Sequence, residues 1–296
     1  MKQIFGAKGR LILSMSIFGT IGIFVRSISV SSGELALYRA VLATAILGCV
    51  ILIKRIQIDL SKIKKEFYLL VASGIAMGLN WVLLFQAYHY TTVSVATLSY
   101  YFAPVLVTLI CPLLFNEKMT AKNWICFLMS TIGIVLLTGL GDLNVGTNHL
   151  IGIIYGLGAA CLYATVILIN KAIKNVDDIP RTFLQFSSSL LILFPYVLFG
   201  SGLTPGSIDT KSFVCILIVG MVHTGANYCL YFSALKGLSG QKAAIFSYID
   251  PLVAILASVL ILNEGITFSQ ITGGILILGF TLWNEMPKKA KRYSSN

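Results

Sequence analysis

One carboxylate stands in the middle of an otherwise apolar stretch: Asp250, within residues 241–262. A charged side chain at such depth in hydrocarbon costs about 2.5–3.5 kcal/mol on insertion scales, so its presence marks a function. Two chemistries are open to it, exchange of a proton and binding of a cationic group. Its neighbour Pro251 has no N–H and disturbs the preceding turn, which leaves a carbonyl free beside the carboxylate. The remaining acidic residues fall at the ends of apolar stretches or in the breaks between them.

Other polar groups lie in comparable positions. His223 and Asn227 are four residues apart and share one helical face. His223 either relays protons or packs as a satisfied neutral ring. No second His or Cys stands at ligand spacing, so no metal is expected. Asn80 holds the corresponding place in an earlier stretch, next to Trp81. The two asparagines either hydrogen-bond a ligand or join helices to each other. Trp81, Tyr100, Tyr101, Tyr163, Tyr228 and Tyr248 fall near the middle of their stretches. Their apolar rings and polar hydroxyls suit a cavity for amphipathic molecules, and with Asp250 they could hold an ammonium group by cation–π attraction. Arg39, at the start of the second stretch, has three roles open: binding a ligand carboxylate, pairing with Glu34, or capping the cavity. Glu117 and Glu264 end matched helices, where a carboxylate caps the following helix or serves as a gate.

The elements that must position these groups follow from composition. Of 296 residues 57% are apolar and 11% charged, against about 25% charged in a soluble domain. Apolar runs of about 20 residues recur from end to end, each long enough to cross a hydrocarbon core. Continuous runs without alternation specify helices rather than a membrane barrel. The expected spans are 11–29, 35–53, 67–88, 93–115, 122–140, 150–170, 180–199, 211–234, 241–262 and 268–286. The apolar run after Lys2, Lys8 and Arg10 is read as the first span and not as a signal peptide, because it has a partner later in the chain. All six cysteines lie inside apolar runs with no CxxC pair, so no disulfide framework is expected.

The net charge of +11 does not indicate nucleic acid, because of where it sits. All but Arg26, Arg39 and Lys211 of the 22 basic residues fall on one side of the expected spans. The positive-inside rule makes that side cytoplasmic, with both termini there and the basic tail 287–296 among them. An even number of spans is then required, and ten satisfies it.

The two halves resemble each other. Residues 78–120 align without gaps onto 225–267, pairing Gly78 with Gly225, Asn80 with Asn227, Tyr101 with Tyr248, Pro104 with Pro251, and Asn116-Glu117 with Asn263-Glu264. Five spans is an odd number, so halves at 1–140 and 150–286 must be inverted relative to each other. Inverted repeats with a site near the midplane are the design of many secondary transporters. The pairing also exposes asymmetry: Asp250 faces Ala103 and His223 faces Ala76 across the alignment.

The apolar helices ending in Asn116-Glu117 and Asn263-Glu264, the prolines in "YYFAP" (100–104) and "SYIDP" (247–251), and "ELALYRA" (34–40) resemble the ten-helix drug/metabolite transporters with two EamA-type repeats. One departure is Gln185 where the second half would carry the counterpart of Arg39. The resemblance implies an all-α membrane protein of ten transmembrane helices, two inverted five-helix repeats around a central cavity, in a cell (inner) membrane. It implies alternating access, with amino acids, related metabolites or drugs as typical cargo. The expected activity is secondary transport of a small amphipathic or cationic metabolite, as proton-coupled export; import of a small amine or quaternary ammonium compound is the alternative. A membrane-embedded enzyme would need a catalytic constellation that no HExxH, GxSxG or paired Asp supplies. No GxxxxGK[ST] loop is present and no cofactor is expected. The expected partners are the small-molecule substrate, protons and the lipid bilayer, with the chain a monomer or weak dimer.

Overall fold

The computed structural model describes residues 6–115, 120–137, 147–200, 202–204, 206, 208–235, 237–238 and 246–286. No strand forms among them. Helices α1 (Ala7–Gly19) and α2 (Ile21–Arg26) make one interrupted run. Helices α3 (Ser32–Ile53), α4 (Leu60–Tyr90), α5 (Val93–Tyr100), α6 (Ala103–Phe115) and α7 (Ala121–Leu137) follow. The second half has α8 (Thr147–Ala172), α9 (Asp178–Phe199), and α10 (Thr210–Leu217), which runs through a π-helical stretch (Ile218–Ala226) into α11 (Asn227–Leu235). Helices α12 (Ile249–Leu260) and α13 (Phe268–Glu285) complete the order.

Among the described residues seven runs are long and apolar enough to cross a membrane: Ala7–Arg26, Ser32–Ile53, Leu60–Tyr90, Val93–Ile110, Thr147–Ala172, Asp178–Phe199 and Thr210–Leu235. Ala121–Leu137 and Ile249–Leu260 are shorter apolar helices. The polarity of the molecule matches that setting. Leu52, Phe199, Leu260 and Phe268 stand exposed on the perimeter, while Ser73, Gln185, Ser189 and Asn227 are buried. Gln185, the departure noted above, is satisfied inside by Ser73 Oγ at 2.7 Å and Asn170 Oδ1 at 2.6 Å.

The helix ends follow local chemistry. Ser31 caps α3 through Glu34 N–H, and Asp59 caps α4 through the N–H groups of Ser61 and Lys62. The Asp59 cap lets α4 start at Leu60, seven residues before the expected 67. Thr267 and Gln270 form a capping box on α13.

Three expected spans are broken, and the breaks have named causes. In the first, the Thr20 hydroxyl turns back to the Ile17 carbonyl at 2.8 Å, and α1 stops there. In the fourth, Pro104 has no N–H for the Tyr100 carbonyl, so the chain leaves the helix at Tyr101–Phe102 and restarts with the proline in the first turn of α6. Pro251 does the same to the ninth. Tyr248 is the N-cap of α12, and Asp250 lies in its first turn. Asp250 was expected at the centre of a continuous span. It stands instead just inside a helix start, because Pro251 occupies the first turn, where its missing N–H breaks no helical bond.

Close helix contacts explain the glycine spacing. A Cβ on Gly74 would sit 2.4 Å from the Gln185 carbonyl and 2.6 Å from Ser188 Cβ, so α4 and α9 approach almost backbone to backbone. Gly74→Val is therefore expected to destabilise the protein by about 1–3 kcal/mol through overpacking. A thermal melt of the purified protein checks this against Gly279→Val, whose Cβ meets nothing within 4 Å and is expected to be neutral.

Candidate functional site

The first two helices, α4, the α5–α6 break, α8, α11 and the start of α12 enclose a cavity of about 270 Å³. Its wall holds Arg39, Trp81, Tyr88, Thr97, Tyr100, Tyr101, Tyr163, Tyr228, Tyr248 and Asp250. The two proline breaks put Tyr101 and Asp250 face to face. The Tyr101 hydroxyl donates to Asp250 Oδ2 at 2.6 Å and lies 3.5 Å from the Ser247 carbonyl, the group that Pro251 cannot bond. Pro251 was expected to release a carbonyl beside the carboxylate; that group is the Ser247 carbonyl, which the Tyr101 hydroxyl reaches. The rings are ordered among themselves. Tyr100 stacks on Tyr163 at 5.1 Å, Tyr101 meets Tyr248 at 6.5 Å, and Phe186 joins Trp81 to Tyr228 at 5.2 Å on each side.

Arg39 enters this wall from α3. It is 4% exposed, and its Nε donates to Thr224 Oγ1 at 2.6 Å. Its guanidinium carbon lies 4.3 Å from the Trp81 ring centre and 5.5 Å from that of Phe85. Pairing with Glu34 does not occur. Glu34 accepts the Tyr38 hydroxyl at 2.7 Å, the Thr204 N–H at 2.9 Å and the Thr204 hydroxyl at 2.7 Å, so it closes a loop at the helix start instead. The reason is helical phase: Tyr38, four residues on, shares the face of Glu34, and Arg39 does not.

Three expected binding residues point elsewhere. Asn80 Nδ2 donates to the Ala159 carbonyl at 2.6 Å, and Asn227 Nδ2 to the Ser14 carbonyl at 3.0 Å. These bonds join α4 to α8 and α11 to α1, the helix-joining alternative. His223 Nε2 is 3.0 Å from Thr20 Oγ1, and the ring meets Phe24 edge to face at 4.9 Å. His223 and Asn227 do share a face, as their spacing implies, but that face is turned to the first helical run and not to the cavity. Trp81, Tyr100, Tyr101, Tyr163, Tyr228, Tyr248 and Asp250 are the expected residues that the fold brings together.

Glu264 sits where α2 ends, α5 begins and α12 ends. It pairs with Arg26 at 2.7 Å, accepts the Val93 N–H at 2.7 Å and accepts the Ser258 hydroxyl. Arg26 Nη2 also donates to the Thr91 carbonyl at 2.7 Å. Capping of the following helix was expected, yet α13 has its own cap in Thr267, and Glu264 caps α5. Asn263 is the cause. Its φ of 53° is left-handed, a conformation that asparagine tolerates, and it turns the chain so that Glu264 points back across the bundle. Glu117 lies outside the described residues.

Sequence reasoning missed Tyr88, Thr97 and Thr224. Tyr88 was legible, since 81, 84, 85 and 88 mark one helical face. Thr224 was not, because nothing in its spacing announces a π-helical turn.

Comparison with known proteins identifies the family. A model of the EamA-like transporter family matches twice, at residues 10–139 and 150–284. The uncharacterized transporter YxxF of Bacillus subtilis (strain 168) is 31% identical over 256 residues, covering 86% of this chain and 81% of its own. An uncharacterized transporter of Archaeoglobus fulgidus is 29% identical over 283 residues, covering 93% and 95%. A solved crystal structure superposes with a TM-score of 0.64 over 93% of this chain and 95% of its own at 17% identity, a likeness of fold alone. With two family segments that together span nearly the whole chain, apolar helices long enough to cross a bilayer and a polar cavity among them, the protein belongs to the EamA-like transporters of the drug/metabolite superfamily and is a multi-pass membrane transporter.

Proposed function

We propose that this transporter is a secondary carrier that exports a small amphipathic metabolite in exchange for protons. The observation that carries the reading is the Asp250–Tyr101 pair in a tyrosine-lined cavity. A carboxylate held there binds either a proton or the cationic group of a cargo molecule, and that competition is itself the coupling. A cargo cation leaves as a proton arrives, and the reverse. The aromatic walls contribute cation–π attraction and apolar area for the rest of the molecule.

The carrier has ten transmembrane helices arranged as two inverted repeats, residues 1–140 and 150–286, with both termini and the basic tail 287–296 at the cytoplasmic face of the cell (inner) membrane. The one-sided distribution of basic residues supports that orientation. The doubled family match supports the repeat, as do the equivalent breaks at Tyr101–Pro104 and Tyr248–Pro251. In that orientation the Arg26–Glu264 cluster closes the outer end.

Purified protein in liposomes, loaded with labelled amines and amino acids, tests the reading. Saturable efflux, inhibited by unlabelled cargo and accelerated by an opposing proton gradient, is expected. Flux that rises linearly with concentration and ignores the gradient would replace the carrier with a pore.

A further inference from the structure

Two helix joints in this fold are copies of each other. Asn80 of α4 donates to the Ala159 carbonyl of α8, and Asn227 of α11 donates to the Ser14 carbonyl of α1. The asparagines are matched across the repeat, and the alignment that sets Phe18-Gly19-Thr20 against Tyr163-Ala164-Thr165 sets Ser14 against Ala159. The α4–α8 joint carries Ala76 and Ala159 beside its asparagine, both buried. The α1–α11 joint has His223 and Ser14 at the same two places, also buried. The alanine version shows that the joint packs without them, so the two polar side chains answer a need other than packing.

The polar seam is incompletely bonded. Ser14 is fully buried, and among the described residues its Oγ has no partner. Nor has Asn227 Oδ1, on the residue whose amide bonds the Ser14 carbonyl. Arg10 Nε, one turn earlier on the same face of α1, is a third such atom, and it lies toward the basic N-terminus. Buried polar atoms left unbonded are costly, and bound water satisfies them where two or more converge.

His223 stands at the other end of the seam. Its Nδ1 faces the Ile218 carbonyl at 3.3 Å, and its Nε2 is 3.0 Å from Thr20 Oγ1. A carbonyl only accepts, so Nδ1 carries hydrogen in either charge state, and the exchangeable proton is the one on Nε2. Thr20 suits both states. Its hydroxyl donates to a bare Nε2, and turns to the Ile17 carbonyl, 2.8 Å away, when Nε2 is protonated. Around the ring, α1 and α2 present Thr20 and Phe24, α11 presents Asn227, and Arg39 is the charged group that faces the π-helical stretch from α3, through Thr224. Thr20 also borders the cavity. Phe18 and Ile21, on either side of it, line the wall, and a Cβ on Gly19 would sit 2.5 Å from the Asp250 carbonyl.

We propose that the α1–α11 seam holds bound water between Ser14 and Asn227, and that His223 passes protons along it between the cavity and the cytoplasmic end. This rests on the proton-exchange reading above and adds the path. A proton released by the Asp250 carboxyl reaches Nε2 through cavity water. It leaves from the same nitrogen to the seam water, so each passage returns the ring and the Thr20 hydroxyl to their starting forms.

Radiolytic labelling of the full-length purified protein in heavy-oxygen water tests the water, and liposome flux tests the path. Leu11 and Met15 are 0% and 4% exposed and flank Ser14 on the buried side of α1, so label on them reports bound and not bulk water. The wild type is expected to take label there, and Ser14→Ala about tenfold less, since one of the water's partners is gone. Proton-driven efflux of labelled amines is expected to slow about tenfold in Ser14→Ala and in His223→Gln, the effect of one hydrogen bond lost from a limiting step. The final cargo ratio is expected to persist, because Asp250 sets the stoichiometry. Exchange of labelled for unlabelled amine, which moves no proton, is expected to stay within about twofold. Ser130→Ala removes another fully buried, unpartnered hydroxyl, on α7, and is expected to change none of these. No label on Leu11 and Met15 in the wild type, unchanged efflux in both variants, or equal slowing of amine-for-amine exchange would overturn the proposal. Failure of the transport reading would look different: label in the seam of a wild type whose efflux ignores the proton gradient.

Discussion

Asp250→Asn is expected to collapse uphill transport, leaving only downhill flux at weakened affinity for a cationic cargo. A proton crossing a one-unit pH gradient yields about 1.36 kcal/mol. One proton exchanged per cargo molecule therefore sustains a concentration ratio of at most about tenfold. Asparagine is neutral at every pH and nearly the same size as aspartate. Its amide oxygen still accepts the Tyr101 hydroxyl that the carboxylate accepts at 2.6 Å, so the fold and the cavity persist. The cargo ratio in liposomes under a one-unit gradient should then fall from that ceiling to one. Tyr101→Phe should leave the ratio intact, since it removes a hydrogen bond but no titrating group. Persistent accumulation in Asp250→Asn would assign the coupling to another residue.

Glu264→Gln is expected to open the end of the bundle that Arg26 now closes. Glu264 binds three partners from separate elements: Arg26 from α2, Val93 N–H from α5 and Ser258 from α12. An alternating-access cycle must separate some of these to admit water from that side. The side chains are 31% and 12% exposed for Arg26 and Glu264, so the pair is partly screened. Discounted for that screening, the charge-assisted contribution is about 1–2 kcal/mol, a shift of roughly 5–30-fold toward the opened state. A single cysteine at Thr97 in a background without native cysteines should react that much faster with a membrane-impermeant maleimide. Arg26→Gln should give the same acceleration, and the double substitution no more than either alone, because both remove one interaction. Unchanged labelling would make the cluster a fixed strut and not a gate.

The Asn263-Glu264 pair shows what sequence matching can and cannot deliver. Its equivalence with Asn116-Glu117 was visible from spacing alone. The physical reason for the pair was not. Asparagine is there to adopt a φ of 53°, and glutamate is there because that turn aims it at Arg26, 238 residues away in the chain. The prolines behave similarly. Their positions were plain, but treating the ninth span as one helix put Asp250 at its centre, when a residue one place before proline belongs to a helix start.

Composition and periodicity were sufficient for the properties that every residue shares with its neighbours. The membrane setting, the asymmetric distribution of basic residues and the isolation of Asp250 are sums or local patterns, and they need no knowledge of which helix meets which. The same holds for the aromatic positions, five of which do reach the cavity with Trp81. Tertiary structure alone decided the partners. Helical spacing places Asn80, His223 and Asn227 on defined faces, but the face that meets a neighbouring helix and the face that meets a cavity look identical in a sequence. Only packing separates them, and it gave the two asparagines to backbone carbonyls and His223 to Thr20. It also placed Arg39 of α3 in the wall of the same chamber as Asp250, bonded to Thr224 of a π-helical turn that no residue spacing encodes. Asp250 was legible because an isolated charge is a local anomaly; Arg39 was visible too, but only packing decided among its open roles, because an arginine in a helix acquires its role from what the other helices place around it.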